Sequence, residues 1–228
     1  MPLAPPPREV PVPLPEIVVF DLDGTLVDSA AGIRAATNAV LVAAGRRGLE
    51  LPEVRGMIGE GLDLLLERAF AATGEAVDPA AHRALWLSFY DRVSGSMTTV
   101  YPGAKALLEQ LSAQGCRLGL CTNKPHSATL KLLAALGLHS HFSAVLGGDA
   151  VPRPKPDPGH LRAVIDALGG GPAALVGDSP TDVAAARAAG VPIVLVGHGY
   201  SRVPVAQLVA DAFCVSFPQV AQALAALP

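Results

Sequence analysis

The sequence predicts an α/β protein: a Rossmann-like core, built as an open parallel sheet with helices on both faces, and an α-helical cap inserted after the first strand. Two observations lead there. Short β-branched apolar runs alternate with helix-period segments that stop at glycine, the rhythm of a parallel sheet covered on both sides. From Ser29 to Gly95 that rhythm lapses, and about 65 residues show helical periodicity alone.

The elements follow in order. The first fifteen residues hold seven prolines, a spacing that favours an extended, disordered leader over 1–15. Glu16 to Phe20 is a continuous apolar run before polar residues and Gly24, as a buried parallel strand requires. Three apolar stripes mark cap helices over 29–95: Ile33, Val40 and Leu41; Leu62, Leu65, Leu66 and Phe70; Leu85, Trp86, Phe89 and Tyr90. The core comprises 16–28 and 96–228. Its further strands are Cys116–Cys121, Ala144–Leu146, Ala173–Val176, Val191–Val196 and a weaker Ala212–Val215. Its helices are Ala104–Gln114, Ser127–Leu136, Pro158–Leu168 and Thr181–Ala189, each running into a glycine. An insertion after the first strand sits above the carboxyl ends of the strands, where open sheets place ligands, so it is read as a lid.

Composition narrows the function. Apolar residues make up 50% of the 228 and charged residues 16%, enough for a buried core. The net charge of −3 offers no basic footprint for nucleic acid, and 4% aromatics offer no stacking platform. The longest apolar stretch, near 188–197, is too short to span a bilayer and contains Pro192. Cys116, Cys121 and Cys214 lack the paired spacing of a zinc site or a disulfide framework, which fits a reduced, cytoplasmic setting. Neither nucleic acid nor membrane is expected as a partner; the chain is expected to act as a monomer or homodimer.

Four segments carry chemistry, each at the end of a predicted strand. Asp21 and Asp23 stand two apart on extended chain, so they share a side; carboxylates this close repel unless a cation or a shared proton intervenes. A hard divalent cation, Mg²⁺ by default, answers that repulsion. Thr122 and Asn123 offer a hydroxyl and amides at a helix start, a site for an anion. Lys155 stands among four prolines in seven residues, a stiff frame that fixes its direction. Asp178 and Asp182 lie one helical turn apart after the next strand. Carboxylates, a hydroxyl and a lysine in one crevice suit a metal beside a phosphate, with a carboxylate nucleophile between them. Cys121 reads as a core thiol, and His139 and His141 as solvated or capping residues.

This set of motifs resembles the haloacid dehalogenase superfamily of phosphohydrolases, most nearly its phosphoglycolate phosphatase branch. The matching segments are DLDGTLVDS at 21–29, VRGMIGEG at 54–61, YPG at 101–103, TNKP at 122–125, GGD and KPDP within 147–158, and VGDSPTD and AARAAG within 176–190. The resemblance implies that Asp21 attacks phosphorus, that Asp23 serves as acid and then base, and that Thr122 and Asn123 hold phosphoryl oxygens. It implies that Lys155 neutralises charge, and that Asp21, Asp23 (through its carbonyl) and Asp178 hold Mg²⁺, with Asp182 in support. The expected activity is Mg²⁺-dependent hydrolysis of a small phosphorylated metabolite, 2-phosphoglycolate first. The alternatives are a phosphomutase of the β-phosphoglucomutase type and a non-catalytic metabolite-binding protein. In the cap, Arg55, Gly59 and Gly61 are the expected contacts to the substrate's carboxylate.

Overall fold

The computed structural model of the chain describes residues 14–204 and 207–227. The leader expected over 1–15 lies outside them, apart from Leu14 and Pro15.

The chain enters through β1 (Ile17–Phe20), turns, and forms β2 (Val27–Asp28). Four helices follow: α1 (Ala30–Ala43), α2 (Leu51–Arg55), α3 (Leu62–Ala71) and, after a 3-10 turn at Pro79–His82, α4 (Arg83–Val93). β3 (Thr99–Val100) brings the chain back. Strand and helix then alternate: α5 (Ala104–Ala113), β4 (Arg117–Cys121), α6 (His126–Ala135), β5 (Ala144–Leu146), α7 (Pro158–Ala167), β6 (Ala173–Gly177), α8 (Pro180–Ala189), β7 (Ile193–Val196). β8 (Ala212–Cys214) and α9 (Phe217–Ala225) complete it.

The six-stranded sheet has the order β5-β4-β1-β6-β7-β8, all parallel. From β1 the chain builds outward through β4 and β5, then reverses and builds the other way from β6. The reversal falls between β1 and β6, which opens a crevice at the carboxyl ends of those two strands. The period of two in β1 divides its buried side chains between two layers. Val18 and Phe20 join the cluster with α5 and α9; Ile17 and Val19 join the one with α7 and α8.

The cap has its own apolar cluster, built on Ile33, Val40, Leu41, Leu66, Phe70, Trp86 and Tyr90. Trp86 and Tyr90, one turn apart, stack at 4.7 Å, and the Trp86 indole N–H donates to Thr37 Oγ1 at 3.1 Å. The third expected stripe is narrower than the sequence suggested. Leu85 is exposed and Phe89 half-buried, because α4 packs against α1 along one edge only.

Four elements lay outside the sequence reading. β2 and β3 pair antiparallel, Val27 with Val100 and Asp28 with Thr99, and two residues each are too few to show a period. α2 is a five-residue helix closed by a capping box between Glu50 and Glu53. α9 follows Ser216 and carries Pro218 in its first turn.

Gly119 shows how closely helix and sheet meet. A Cβ there would lie 2.5 Å from Val164 Cγ1 and 2.9 Å from Leu168 Cδ1. Gly119→Ala is therefore expected to destabilise the protein by about 1–3 kcal/mol. Chemical denaturation measures it; an unchanged midpoint would mean that α7 can move off β4.

Candidate active site

Asp21 is the first residue after β1, and its N–H donates to the Val176 carbonyl at 2.9 Å, which extends the β1–β6 pairing by one step. That bond brings Asp21 to the mouth of the crevice. Gly24 then turns the chain at φ 88°, and a Cβ there would meet Asp178 Oδ2 at 2.5 Å. Asp178 follows β6. Its Oδ1 accepts from Thr25 Oγ1 at 2.9 Å and its Oδ2 from the Tyr200 N–H at 2.7 Å. Thr122, Asn123 and Lys124 follow β4, all buried.

Each of the first two carboxylates has its own ammonium group. Lys155 Nζ donates to Asp21 Oδ1 at 2.9 Å and to Asp182 Oδ1 at 2.6 Å, with only 2% of its side chain exposed. Lys124 Nζ donates to both oxygens of Asp23, at 3.1 and 3.0 Å, and its side chain is equally buried. Ser29 Oγ also donates to Asp23. Burial works against both ammonium charges, yet the facing acidic groups outweigh it, so both lysines bind their protons more tightly than in water.

Asp182 acts as a brace. While its Oδ1 faces Lys155, its Oδ2 accepts from the Asp178 N–H, the Ser179 N–H and Ser179 Oγ, forming the capping box of α8. Oxygens of Asp21, Asp178 and Asp182 nevertheless lie within 4.8 Å of one another. Burial pushes the Asp21 carboxyl up to about 6 and that of Asp178 well above the usual range, and the neighbouring carboxylates add to both rises. Asp21, Asp23, Asp178 and Asp182 set against Lys124 and Lys155 leave two negative charges uncompensated. One divalent cation carries that charge, and the donors are all hard oxygens. The residues fit a metal ion of that kind.

The cap closes over Asp21. A cavity of about 40 Å³ lies between Asp21, Asp23, Thr122 and Lys124 on the core side and Ile33, Ile58, Leu65 and Trp86 on the cap side. Gly59 and Gly61 line it too. Asn123 joins the halves, its Nδ2 donating to the Gly59 carbonyl at 3.0 Å and to the Lys155 carbonyl at 2.8 Å. Its buried Oδ1 has no hydrogen-bond partner among the described residues. Thr122 Oγ1 accepts from the Lys124 N–H at 3.3 Å, which leaves its hydroxyl proton to donate.

Arg55 lies elsewhere. It pairs with Asp28 at 3.0 Å, sits over the Tyr200 ring and does not line this cavity. In this structure its guanidinium faces Asp28 at the root of the cap. Gly59 and Gly61, the other two expected cap contacts, do line the cavity, and the cap side chains beside them are largely apolar. Cys121 is a core thiol as read, pushed up to about 12 by burial even though Lys155 lies near.

The sequence reading assigned no role to Lys124, Ser29, Thr25, Tyr200 or His160. Tyr200 Oη accepts from the Ser29 and Ala30 N–H groups and donates to Asp28, tying the metal side of the crevice to the start of α1. His160 is fully buried behind Lys155, whose N–H it faces at 3.3 Å; burial lowers its pKa to about 4. A lysine directly after Thr122 and Asn123 was the one legible signal, since a long charged side chain is out of place in so buried a segment.

Residues 15–190 match the model of the haloacid dehalogenase-like hydrolase family. The chain belongs to that family. This hydrolase is 49% identical over 206 residues to a phosphoglycolate phosphatase of Rhodospirillum rubrum, a match spanning 86% of this chain and 85% of the relative. It is 41% identical over 212 residues to a phosphoglycolate phosphatase of Caulobacter vibrioides, spanning 90% and 89%. Among solved structures it resembles a predicted phosphoglycolate phosphatase of Haemophilus somnus, with TM-score 0.85 and 31% identity over 91% of this chain and 96% of that one. It also resembles a haloacid dehalogenase-like hydrolase of Bacteroides fragilis, with TM-score 0.81 and 27% identity over 90% and 99%. These relatives agree with the parallel core and inserted cap of this hydrolase.

A carboxyl whose pKa rises on folding binds its proton more tightly in the folded state. Its contribution to stability is present below about pH 4 and is lost as the pH rises through about 6, the value for Asp21. The metal-free hydrolase is therefore expected to lose thermal stability from this source between pH 4 and 6. A divalent cation should raise Tm more at pH 7.5 than at pH 5. Thermal unfolding with chelator and with added Mg²⁺ or Mn²⁺ checks this; an equal gain at both pH values would contradict it.

Proposed function

We propose that this hydrolase is a Mg²⁺-dependent phosphatase that cleaves a small phosphate monoester, 2-phosphoglycolate, to glycolate and phosphate. The reading rests first on one observation: a buried carboxylate, Asp21, lies beside a lysine and a cation-sized group of oxygens, at the floor of a small lidded cavity. The relatives named phosphoglycolate phosphatase supply the substrate class.

In the proposed mechanism Lys155 holds Asp21 Oδ1, and Oδ2 attacks phosphorus. The phosphorus–oxygen bond to glycolate breaks as an aspartyl-phosphate forms on Asp21. Asp23, carrying a proton brought in with the phosphate ester, passes it to the departing alkoxide. Asp23, now a carboxylate, takes a proton from the water that attacks the phosphoenzyme; phosphate leaves and Asp21 is regenerated. Thr122 donates to a phosphoryl oxygen, with Asn123 beside it. Asp21, Asp178 and the Asp23 carbonyl would hold Mg²⁺, which neutralises phosphoryl charge and helps align the transferring group. Asp182 keeps Lys155 in place. The apolar cap wall excludes water while the acyl phosphate exists. Three buried free thiols support a cytoplasmic location.

Asp21→Asn is expected to lower kcat about a thousandfold or more, roughly 4 kcal/mol of barrier, while the fold survives. Phosphate release from 2-phosphoglycolate, with Mg²⁺ and with chelator, measures it. More than a tenth of wild-type turnover in the variant would remove Asp21 as nucleophile. Asp178→Ala should raise the Mg²⁺ concentration needed for half-maximal activity strongly, and an unchanged requirement would take Asp178 out of the metal site.

A further inference from the structure

Phosphoglycolate brings two anionic groups into one site. The proposed mechanism gives the phosphoryl group its partners, but nothing yet receives the carboxylate. A carboxylate leaving water for a small, largely apolar cavity needs a cation or several donors there. The cap supplies no cation. Its wall at this point is Ile33, Ile58, Leu62, Leu65 and Trp86 with the uncharged backbone of Gly59 and Gly61, and the Trp86 N–H is taken by Thr37. Arg55 and Arg68 in the cap are paired with Asp28 and Glu60.

We infer that Lys124, from the core side, is the residue that recognises the substrate's carboxylate. This rests on the phosphoglycolate reading above and adds the group that sets its specificity. Lys124 is the basic side chain that lines the cavity. Its ammonium group lies 3.0 Å from Asp23 and 4.2 Å from the centre of the Tyr90 ring, on the cap helix α4. It has three donors, of which Asp23 occupies two. Lys155, by contrast, already faces two carboxylates.

Geometry matches the chemistry. The oxygen that leaves phosphorus must sit against Asp23 to receive its proton. In phosphoglycolate the carboxylate carbon is two bonds from that oxygen. A carboxylate at that separation falls beside the groups that Asp23 itself contacts, Lys124 and Ser29, of which Lys124 carries the positive charge and lines the cavity. Ethyl phosphate has the same two carbons and the same leaving oxygen, but it presents a methyl group there.

The test compares kcat/KM for 2-phosphoglycolate and ethyl phosphate in the wild-type protein and in Lys124→Met. Any general damage to Asp23 enters both rates and cancels in their ratio. The expected result is a selective wild type and a variant whose ratio has fallen about tenfold or more, chiefly through KM for phosphoglycolate. A selective wild type whose variant keeps its ratio rejects Lys124 and leaves the phosphoglycolate reading intact. A wild type that cleaves both esters equally rejects the phosphoglycolate reading, and Lys124's role with it. Should Lys124→Met not fold, as judged by its thermal unfolding, Lys124→Gln keeps a donor toward Asp23 and reads the same ratio.

Discussion

Buried charge at one edge of the sheet is the constraint on which this structure depends. Asp21, Asp178 and Asp182 are almost wholly out of solvent, as are Lys124 and Lys155. Removing one partner from such a network typically costs about 3–5 kcal/mol, because the other is left uncompensated. Every nearby feature serves that balance. Gly24 and Gly199 permit the close approach to Asp178 that a side chain would block. Asp182 spends one oxygen on Lys155 and the other on the start of α8, so one carboxylate both orients a cation and caps a helix. The surplus of negative charge is what makes the site receptive to a metal ion.

Core and cap divide the work accordingly. The core holds the charges on strand ends, where backbone pairing fixes them. The cap contributes Ile33, Ile58, Leu65 and Trp86, a surface that displaces water without competing for the phosphoryl group. Electrostatic interactions beneath such a lid are stronger than the same contacts in water. Asn123 reports closure directly, since one amide group bonds a cap carbonyl and a core carbonyl.

Much of this was legible from the sequence because two signals coincide. A buried parallel strand reads as a short apolar run, and the residues that follow it stand at the carboxyl edge whatever the rest of the chain does. Asp21, Thr122 and Asp178 were found that way, and Lys155 by its proline frame. The core strands and helices that were expected fall within two residues of their limits, whereas β2, β3 and α9 were not expected. What was hidden depends on distance. Lys124 finds Asp23 across 101 positions, and Tyr200 finds Asp28 across 172, separations that local pattern does not encode. Arg55 was a sound chemical choice for a carboxylate, but the fold supplied Asp28 first. Leu85 and Phe89 match helical periodicity well enough, yet only tertiary packing decides which edge of α4 is covered.

The two-residue pairing of β2 with β3 has a wider consequence. It joins the chain where it leaves the core for the cap to the chain where it returns, with Val27 opposite Val100. The ends of the insertion are thus held side by side by the core itself, and the entropy of closing that loop grows only slowly with the length of what lies inside it. A core built in this way can accept inserts of different size and shape without losing its own register. Its catalytic edge can stay fixed while the overlying module is replaced in the course of evolution.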